Sequence, residues 1–268
     1  MQDVPKTRRV RVLVYLDLRS LEMVASFSPP YTDPGALTQQ LKEGGFAALT
    51  PEAVAALAGV ELQALHALDG SWDALVLDPY LKDGGRYRQR RHSCFVVAPD
   101  SISQVPHRAH WQSLDYNALH GGMHRWFEPI QPQVVAQPAF QQLMGAIAVQ
   151  CSAQRPDVPE WFVEAHQFRI DTTDGIGRPT PEGAHRDGVD YVAVLLLGRH
   201  GIKGGETRVF EANGPRGLRF TLTEPWSLML LDDARMIHES TPIQPLDDVG
   251  YRDTLVLTYR AGGFQGEA

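Results

Sequence analysis

The chain has 268 residues, a length that suits one large domain as readily as two; 43% of them are hydrophobic and 21% charged, which excludes global disorder. Its net charge of −7 argues against a non-specific nucleic-acid binder, which needs a basic surface. Its two cysteines, Cys94 and Cys151, exclude a disulfide framework and a cysteine-rich zinc site.

Residues 1–30 read as a peripheral N-terminal segment, with Val10, Val12 and Val14 alternating as in a strand. Arg8-Arg9 followed by Val10 to Leu16 imitates a signal peptide, but Arg11 interrupts it, Asp17 ends it and no small-residue cleavage site follows. No apolar run reaches the length of a membrane span, so the chain is expected to be soluble and cytoplasmic, with no membrane partner. Residues 31–155 read as helical support. Asp33-Pro34 opens a helix that Gly44-Gly45 stops, Thr50-Pro51-Glu52 opens a second to about Leu57, and a third runs through Leu68. A first strand falls near 87–97, and its start is unusually basic: Arg86, Arg88, Arg90, Arg91, His92. The clearest helix covers 138–153, where Phe140, Leu143, Met144, Ile147, Ala148 and Cys151 follow the i, i+3, i+4 pattern, making Cys151 a core thiol.

From Trp161 the pattern changes to short β-rich runs separated by Gly, Pro and Asp turns: 161–171, 189–198, 206–212, 217–223, 226–232, 234–239 and 252–260. No segment between them is long enough for repeated βαβ crossovers. Residues 160–262 are therefore expected to form a jelly-roll core with the helices on its outside, in a single domain, mainly β with flanking helices.

Ten histidines offer several metal-ligand spacings. His107 and His110, and His120 and His124, lie among Pro106, Gly121 and Gly122, poor helix material, and read as exposed loop histidines. His185-Arg186-Asp187 differs, because residues two apart on an extended segment point to one face and can share a metal. Chance alone predicts about 0.7 His-x-Asp matches in a chain of this composition, so the match needs its context. It sits where a Pro181-Glu182-Gly183 turn enters the apolar strand from Val189, and His238 follows a later strand as a third ligand. Two imidazoles and one carboxylate are the ligand set of non-haem Fe(II) oxygenases, leaving positions free for a chelating co-substrate and O₂. Arg252 opens the apolar strand to Tyr259, with Thr254 on its face; the pair suits a carboxylate anchor, the alternative being a surface arginine paired with Asp247 or Asp248. Lys203-Gly204-Gly205-Glu206-Thr207 reads as a hairpin turn.

The ordered blocks Glu164-Ala-His-Gln-Phe-Arg169, Gly183-Ala-His-Arg-Asp-Gly-Val-Asp-Tyr191, Gly204-Gly205-Glu206-Thr207, Met236-Ile-His-Glu-Ser-Thr-Pro242 and Tyr251-Arg-Asp-Thr-Leu-Val-Leu-Thr258 resemble the 2-oxoglutarate/Fe(II)-dependent dioxygenases. The resemblance covers roughly residues 35–260 and is greatest to the branch that hydroxylates free L-amino acids, typified by L-isoleucine 4-hydroxylase. It implies a cupin-like double-stranded β-helix. It also implies Fe(II) on His185, Asp187 and His238, the 2-oxoglutarate carboxylate on Arg252, and O₂ as oxidant with release of succinate and CO₂. The basic strand and the strand carrying His166 and Gln167 resemble segments that border the substrate pocket. The carboxylate of a small-molecule substrate would suit Arg88 or Arg90, unless these form a solvated basic face. Rival readings are the same chemistry on a peptide side chain, another metabolite or a thioether, and a non-catalytic jelly roll that binds metal or ligand in stress adaptation.

Overall fold

The computed structural model describes residues 27–117 and 119–266, so the expected strand around Val10 to Val14 lies outside the described residues. A single turn at Pro34–Ala36, capped by the Asp33 carboxylate on the Gly35 amide, leads into α1 (Leu37–Gly44). Gly45 ends that helix in the left-handed region at φ 76°. Thr50 caps α2 (Pro51–Ala58), its hydroxyl oxygen accepting from the Ala53 amide at 3.2 Å. Between these helices lies β1 (Phe46–Leu49), a strand too short to show between two stronger helix signals. Then come α3 (Leu62–His66), β2 (Val76–Leu77), β3 (Arg88–Ala98), β4 (Ser101–Gln104), α4 (Pro132–Val135) and α5 (Pro138–Gln154). The remainder is all β: β5 (Trp161–Asp171), β6 (Tyr191–His200), β7 (Ile202–Gly204), β8 (Thr207–Glu211), β9 (Gly217–Phe220), β10 (Leu228–Asp232), β11 (Met236–Ser240), β12 (Ile243–Pro245) and β13 (Tyr251–Arg260).

The large sheet is antiparallel in the order β1-β10-β6-β13-β5-β3-β2, with β4 beside β3. The second wall is made of β11-β8-β9 and β12-β7, extended by single bridges from His185 to His238 and from Gly177 to Ile243. The result is the expected double-stranded β-helix.

Strand alternation divides the large sheet into two working faces. On the outer face Leu255, Leu257 and Tyr259 join Ala193, Leu195, Leu228 and Leu230 in a core with Val54, Phe140, Leu143, Ile147 and Cys151 of α2 and α5. Each valine, leucine, isoleucine or phenylalanine among them contributes about 1.5–3 kcal/mol by leaving water. Burial pushes the Cys151 thiol well above its usual pKa, as suits a packing residue. On the inner face Val192, Leu196, Met229 and Leu231 meet Val209, Phe220, Leu222 and Met236 of the second wall and close the far end of the barrel. The other inner positions, including Arg88, Arg90, Glu164, His166, Arg252 and Thr254, line a cavity.

Candidate metal centre and active cavity

His185 and His238 lie opposite each other in an isolated antiparallel bridge, His185 N–H donating to the His238 carbonyl at 3.0 Å and the reverse at 2.9 Å. This register sets their rings 4.6 Å apart. Asp187 completes the group: its Oδ1 is 3.7 Å from His185 Nε2 and its Oδ2 is 3.7 Å from His238 Nε2. One ligand atom from each of the three lies within 4.8 Å of the others. His185 Nδ1 donates to the Gly183 carbonyl at 2.9 Å, which leaves the Nε2 lone pair facing the carboxylate. Burial, reinforced by the nearby His185, lowers His238 to about 4 and keeps it a neutral ligand. Burial also opposes charge on His185, but Asp187 outweighs it and raises that pKa to about 10. The donor set, the fixed tautomer and the open cavity in front of it fit Fe(II).

The loop carrying Asp187 is pinned from beneath. Asp233 Oδ1 accepts from the Asp187 amide at 2.9 Å, and its Oδ2 accepts from the Gly188 and Val189 amides at 2.7 and 3.1 Å. Gly188 adopts φ 78°, and a Cβ there would stand 2.5 Å from the Tyr116 ring. Glycine is therefore required both by the turn and by the loop packed over it.

Arg252 is 4% exposed and its Nε has no hydrogen-bond partner among the described residues. Burial, then the neighbouring Arg199, lowers its pKa to about 10. Arg199 also has an unpartnered buried atom, Nη1. A Cβ on Gly205 would come within 3.2 Å of Arg199 Nη1 and 3.6 Å of Arg252 Cδ, so this turn does more than close a hairpin: it leaves space for two guanidinium groups. The buried guanidinium of Arg252 and the half-buried one of Arg199, without a carboxylate between them, fit the distal carboxylate of a dicarboxylic co-substrate, and Thr254 lines the same wall. The surface pairing of Arg252 with Asp247 or Asp248 is not what the structure shows. Glu206 instead pairs with Arg208 at 2.9 Å, outside the cavity lining.

The opposite wall belongs to the inner faces of β3 and β5 and to the loop 105–130. Arg88 and Arg90 are both buried rather than part of a solvated face. Arg88 Nε donates to Asp78 Oδ2 at 2.7 Å, leaving Nη2 without a partner. Arg90 is held between the rings of Phe127 and Phe168, 3.7 and 4.4 Å from their centroids, and donates to His166 Nδ1 at 2.7 Å. Gln167 does not reach the cavity. It sits one residue out of phase with His166, on the outer face, where its amide donates to Ser71 Oγ at 2.8 Å. The expectation that it meets substrate fails for that reason.

The loop histidines are also placed differently from expectation. His110 and His120 are 8% and 2% exposed, because the loop folds back through an antiparallel bridge between His110 and Arg125 and roofs the cavity. His110 Nδ1 donates to Glu164 Oε2 at 2.5 Å, His92 Nε2 donates to the same oxygen at 2.9 Å, and His166 Nε2 stands 3.7 Å away. These four residues form a second metal-like cluster. Arg90 decides its character. A guanidinium only donates, so His166 Nδ1 must be an acceptor and its proton sits on Nε2. Imidazole N–H groups thus converge on one carboxylate oxygen, an arrangement complete without a cation. Burial keeps His92, His110 and His166 neutral, His110 down to about 4. Burial would raise Glu164, but His110 and His92 outweigh it and hold it ionised.

Four further cavity residues were not among those singled out by sequence: Gln112, Asn117, Arg125 and Glu182. Arg125 Nη2 donates to Gln112 Oε1 at 2.9 Å, and its Nε is buried without a partner. Glu182 stands on a segment held by Thr180, whose hydroxyl donates to the Ser240 carbonyl at 3.0 Å. Its Oε1 is 3.5 Å from His185 Nε2 and its Oε2 is buried without a partner. Glu164 alone had a signal, two residues before His166 on the same strand face; the others lie in irregular segments that carry no periodicity.

A double-stranded β-helix with two imidazoles and a carboxylate at its open end, and arginines deeper on the facing strand, defines a class of iron oxygenases. The model of the 2OG-Fe dioxygenase family matches residues 69–258, and the chain belongs to that family. A solved bsmA homolog from Methylobium petroleophilum PM1 is 52% identical, covering 89% of this chain and 97% of that one, with a TM-score of 0.85. The fold is shared with IDO from Bacillus thuringiensis (16% identity, TM-score 0.70, covering 87% and 97%). It is shared also with the Fe(II)/(alpha)ketoglutarate-dependent dioxygenase TqaL (21% identity, TM-score 0.66, covering 87% and 88%). No curated protein matches the chain in sequence. The family uses Fe(II), 2-oxoglutarate and O₂, so the chain is an oxidoreductase and not the non-catalytic jelly roll that the sequence left as a rival. No helix among the described residues is long and apolar enough to cross a membrane.

Proposed function

We propose that the protein hydroxylates a free L-amino acid, with His185, Asp187 and His238 holding Fe(II), and Arg252 and Thr254 holding the distal carboxylate of 2-oxoglutarate. Bound there, the metal and co-substrate supply the oxidising chemistry: 2-oxoglutarate and O₂ become succinate and CO₂ as one oxygen atom enters a substrate C–H bond. The protein's own part is to bind, orient and exclude water. No general base is needed, in keeping with a cavity whose histidines are already committed.

One observation carries the substrate class. Beyond the triad the cavity offers unpartnered, buried groups of both signs: Arg88 Nη2 and Arg125 Nε on one side, Glu182 Oε2 on the other. Buried polar atoms without partners are costly unless a ligand satisfies them. A zwitterion does so, with its carboxylate on the guanidinium groups and its ammonium on Glu182. Arg90 adds a further unpartnered guanidinium atom, Nε, to that seat, whereas His166, whose Nδ1 Arg90 occupies, supports the seat rather than forms it.

The test is succinate formation with Fe(II) and 2-oxoglutarate across free L-amino acids, including L-isoleucine, and their N-acetyl and methyl-ester derivatives. Stimulation by free amino acids that is lost on either modification supports the reading. Equal stimulation by N-acetylated esters or by peptides overturns it.

A further inference from the structure

Gln112 occupies the junction between the two ends of the cavity. It is 5% exposed and its side chain makes three hydrogen bonds. Its Oε1 accepts from Arg125 Nη2 at 2.9 Å and from Asn117 Nδ2 at 3.1 Å, and its Nε2 donates to Asp187 Oδ1 at 3.1 Å. The amide has no freedom to flip. Arg125 can only donate, and Asn117, whose Oδ1 accepts from the His120 backbone N–H at 2.7 Å, presents its own NH₂, so the Gln112 NH₂ must face the carboxylate.

We infer that Gln112 is a positioning residue that commits Asp187 Oδ1 to a hydrogen bond, leaves Oδ2 as the metal-facing oxygen, and transmits the state of Arg125 to the metal centre. The inference rests on Asp187 being a metal ligand, as proposed above. The physical reasoning is direct. A carboxylate with both oxygens free can chelate a cation through two atoms or one; a donor fixed on one oxygen favours the one-atom mode and keeps a coordination position open. Gln112 is itself held by Arg125, which carries an unpartnered Nε into the cavity. A two-bond chain therefore joins the carboxylate-recognising guanidinium to the ligand carboxylate, and binding at either end affects the other reciprocally.

The experiment is Co(II) titration of the apo-protein, followed by the visible ligand-field bands, for wild type, Gln112→Leu, Arg125→Leu and the double variant. Neither substrate nor 2-oxoglutarate is present, so the outcome is independent of the amino-acid assignment. Gln112→Leu is expected to weaken Co(II) binding about 10- to 100-fold, because the ligand carboxylate is no longer oriented, and to change the band pattern, because that carboxylate can then also bind through both oxygens. Arg125→Leu is expected to weaken binding less in the wild-type background and to have no further effect in Gln112→Leu. Thermal midpoints of the four apo-proteins show whether each still folds; where Gln112→Leu does not, Gln112→Met repeats the comparison. Unchanged Co(II) affinity and bands in a folded Gln112 variant overturn the inference, as do additive effects in the double variant. A wild-type protein that binds no Co(II) overturns the triad assignment and the inference with it.

Discussion

The two ends of the cavity are built by different means. At the end that carries the His185–Asp187–His238 group and Arg252, every key side chain sits on or beside a strand of the β-helix: His185 and His238 across one bridge, Arg252 and Thr254 on one face of β13. At the opposite end, the groups come partly from the inner face of β3 and β5 and partly from the loop 105–130, which reaches over to place His110, Gln112, Asn117 and Arg125. The first end shows short-range order, with spacings of two residues. The second is assembled from positions far apart in the chain, such as Gln112 against Asp187, 75 residues away. A conserved chemistry can be carried on regular strands while discrimination between substrates is left to a loop that can vary without disturbing them.

The strongest way to break this division is Asp187→Ala, which is expected to reduce iron-dependent succinate formation to the enzyme-free level while the thermal midpoint of the apo-protein stays near wild type. Retained coupled turnover would show that the strand end does not hold the metal. Arg252→Ala should act on the co-substrate alone. Removing one partner of a buried, charge-assisted pair costs on the order of 2–5 kcal/mol, so the KM for 2-oxoglutarate should rise about 30-fold or more, with the KM for the amino acid little changed.

Glu164→Ala tests whether the second cluster is a folded-state support or a ligand site. It leaves the neutral His110 and His92 N–H groups buried without their acceptor, at a cost of about 1–3 kcal/mol each. Urea denaturation should show that loss, whereas Fe(II) stoichiometry should remain at one per chain in whatever fraction stays folded. A wild-type stoichiometry of two would reverse the argument drawn from Arg90.

A further expected effect is a pH dependence of stability. Burial lowers His110 and His120 from the ordinary 6.5 to about 4. Unfolding therefore takes up protons between those values. Their contribution is fully present above pH 6.5 and is lost as pH falls toward 4. Thermal midpoints measured from pH 7.5 to 4.5 should decline in that window, and His120→Asn should flatten the decline without altering the metal end. An equal slope in the variant would show that His120 is not held neutral.

Much of the fold was legible because the β-helix writes itself in alternating runs between Gly, Pro and Asp turns. Strands expected at 161–171 and 252–260 are Trp161–Asp171 and Tyr251–Arg260, and the helix expected at 138–153 is Pro138–Gln154. The short β1 was hidden between Gly45 and Thr50, whose capping signals dominate so brief a segment. Within the site, two-residue alternation was enough to put Arg252 with Thr254. The same rule, applied to β5, separates His166 from Gln167 and would have grouped Glu164 with His166.

What the sequence by itself determined is therefore local: which segments are strands, which residues share a face, and that His185, Asp187 and His238 are competent metal ligands. These follow from backbone geometry and donor chemistry, which act over a few residues. Tertiary packing alone sets the inward direction of Arg88 and Arg90, the folding of the loop 105–130 over the cavity, and the place of Gln112 between Arg125 and Asp187. Those outcomes depend on how a long irregular segment satisfies its buried polar groups against distant strands, and no periodicity in the chain encodes that choice.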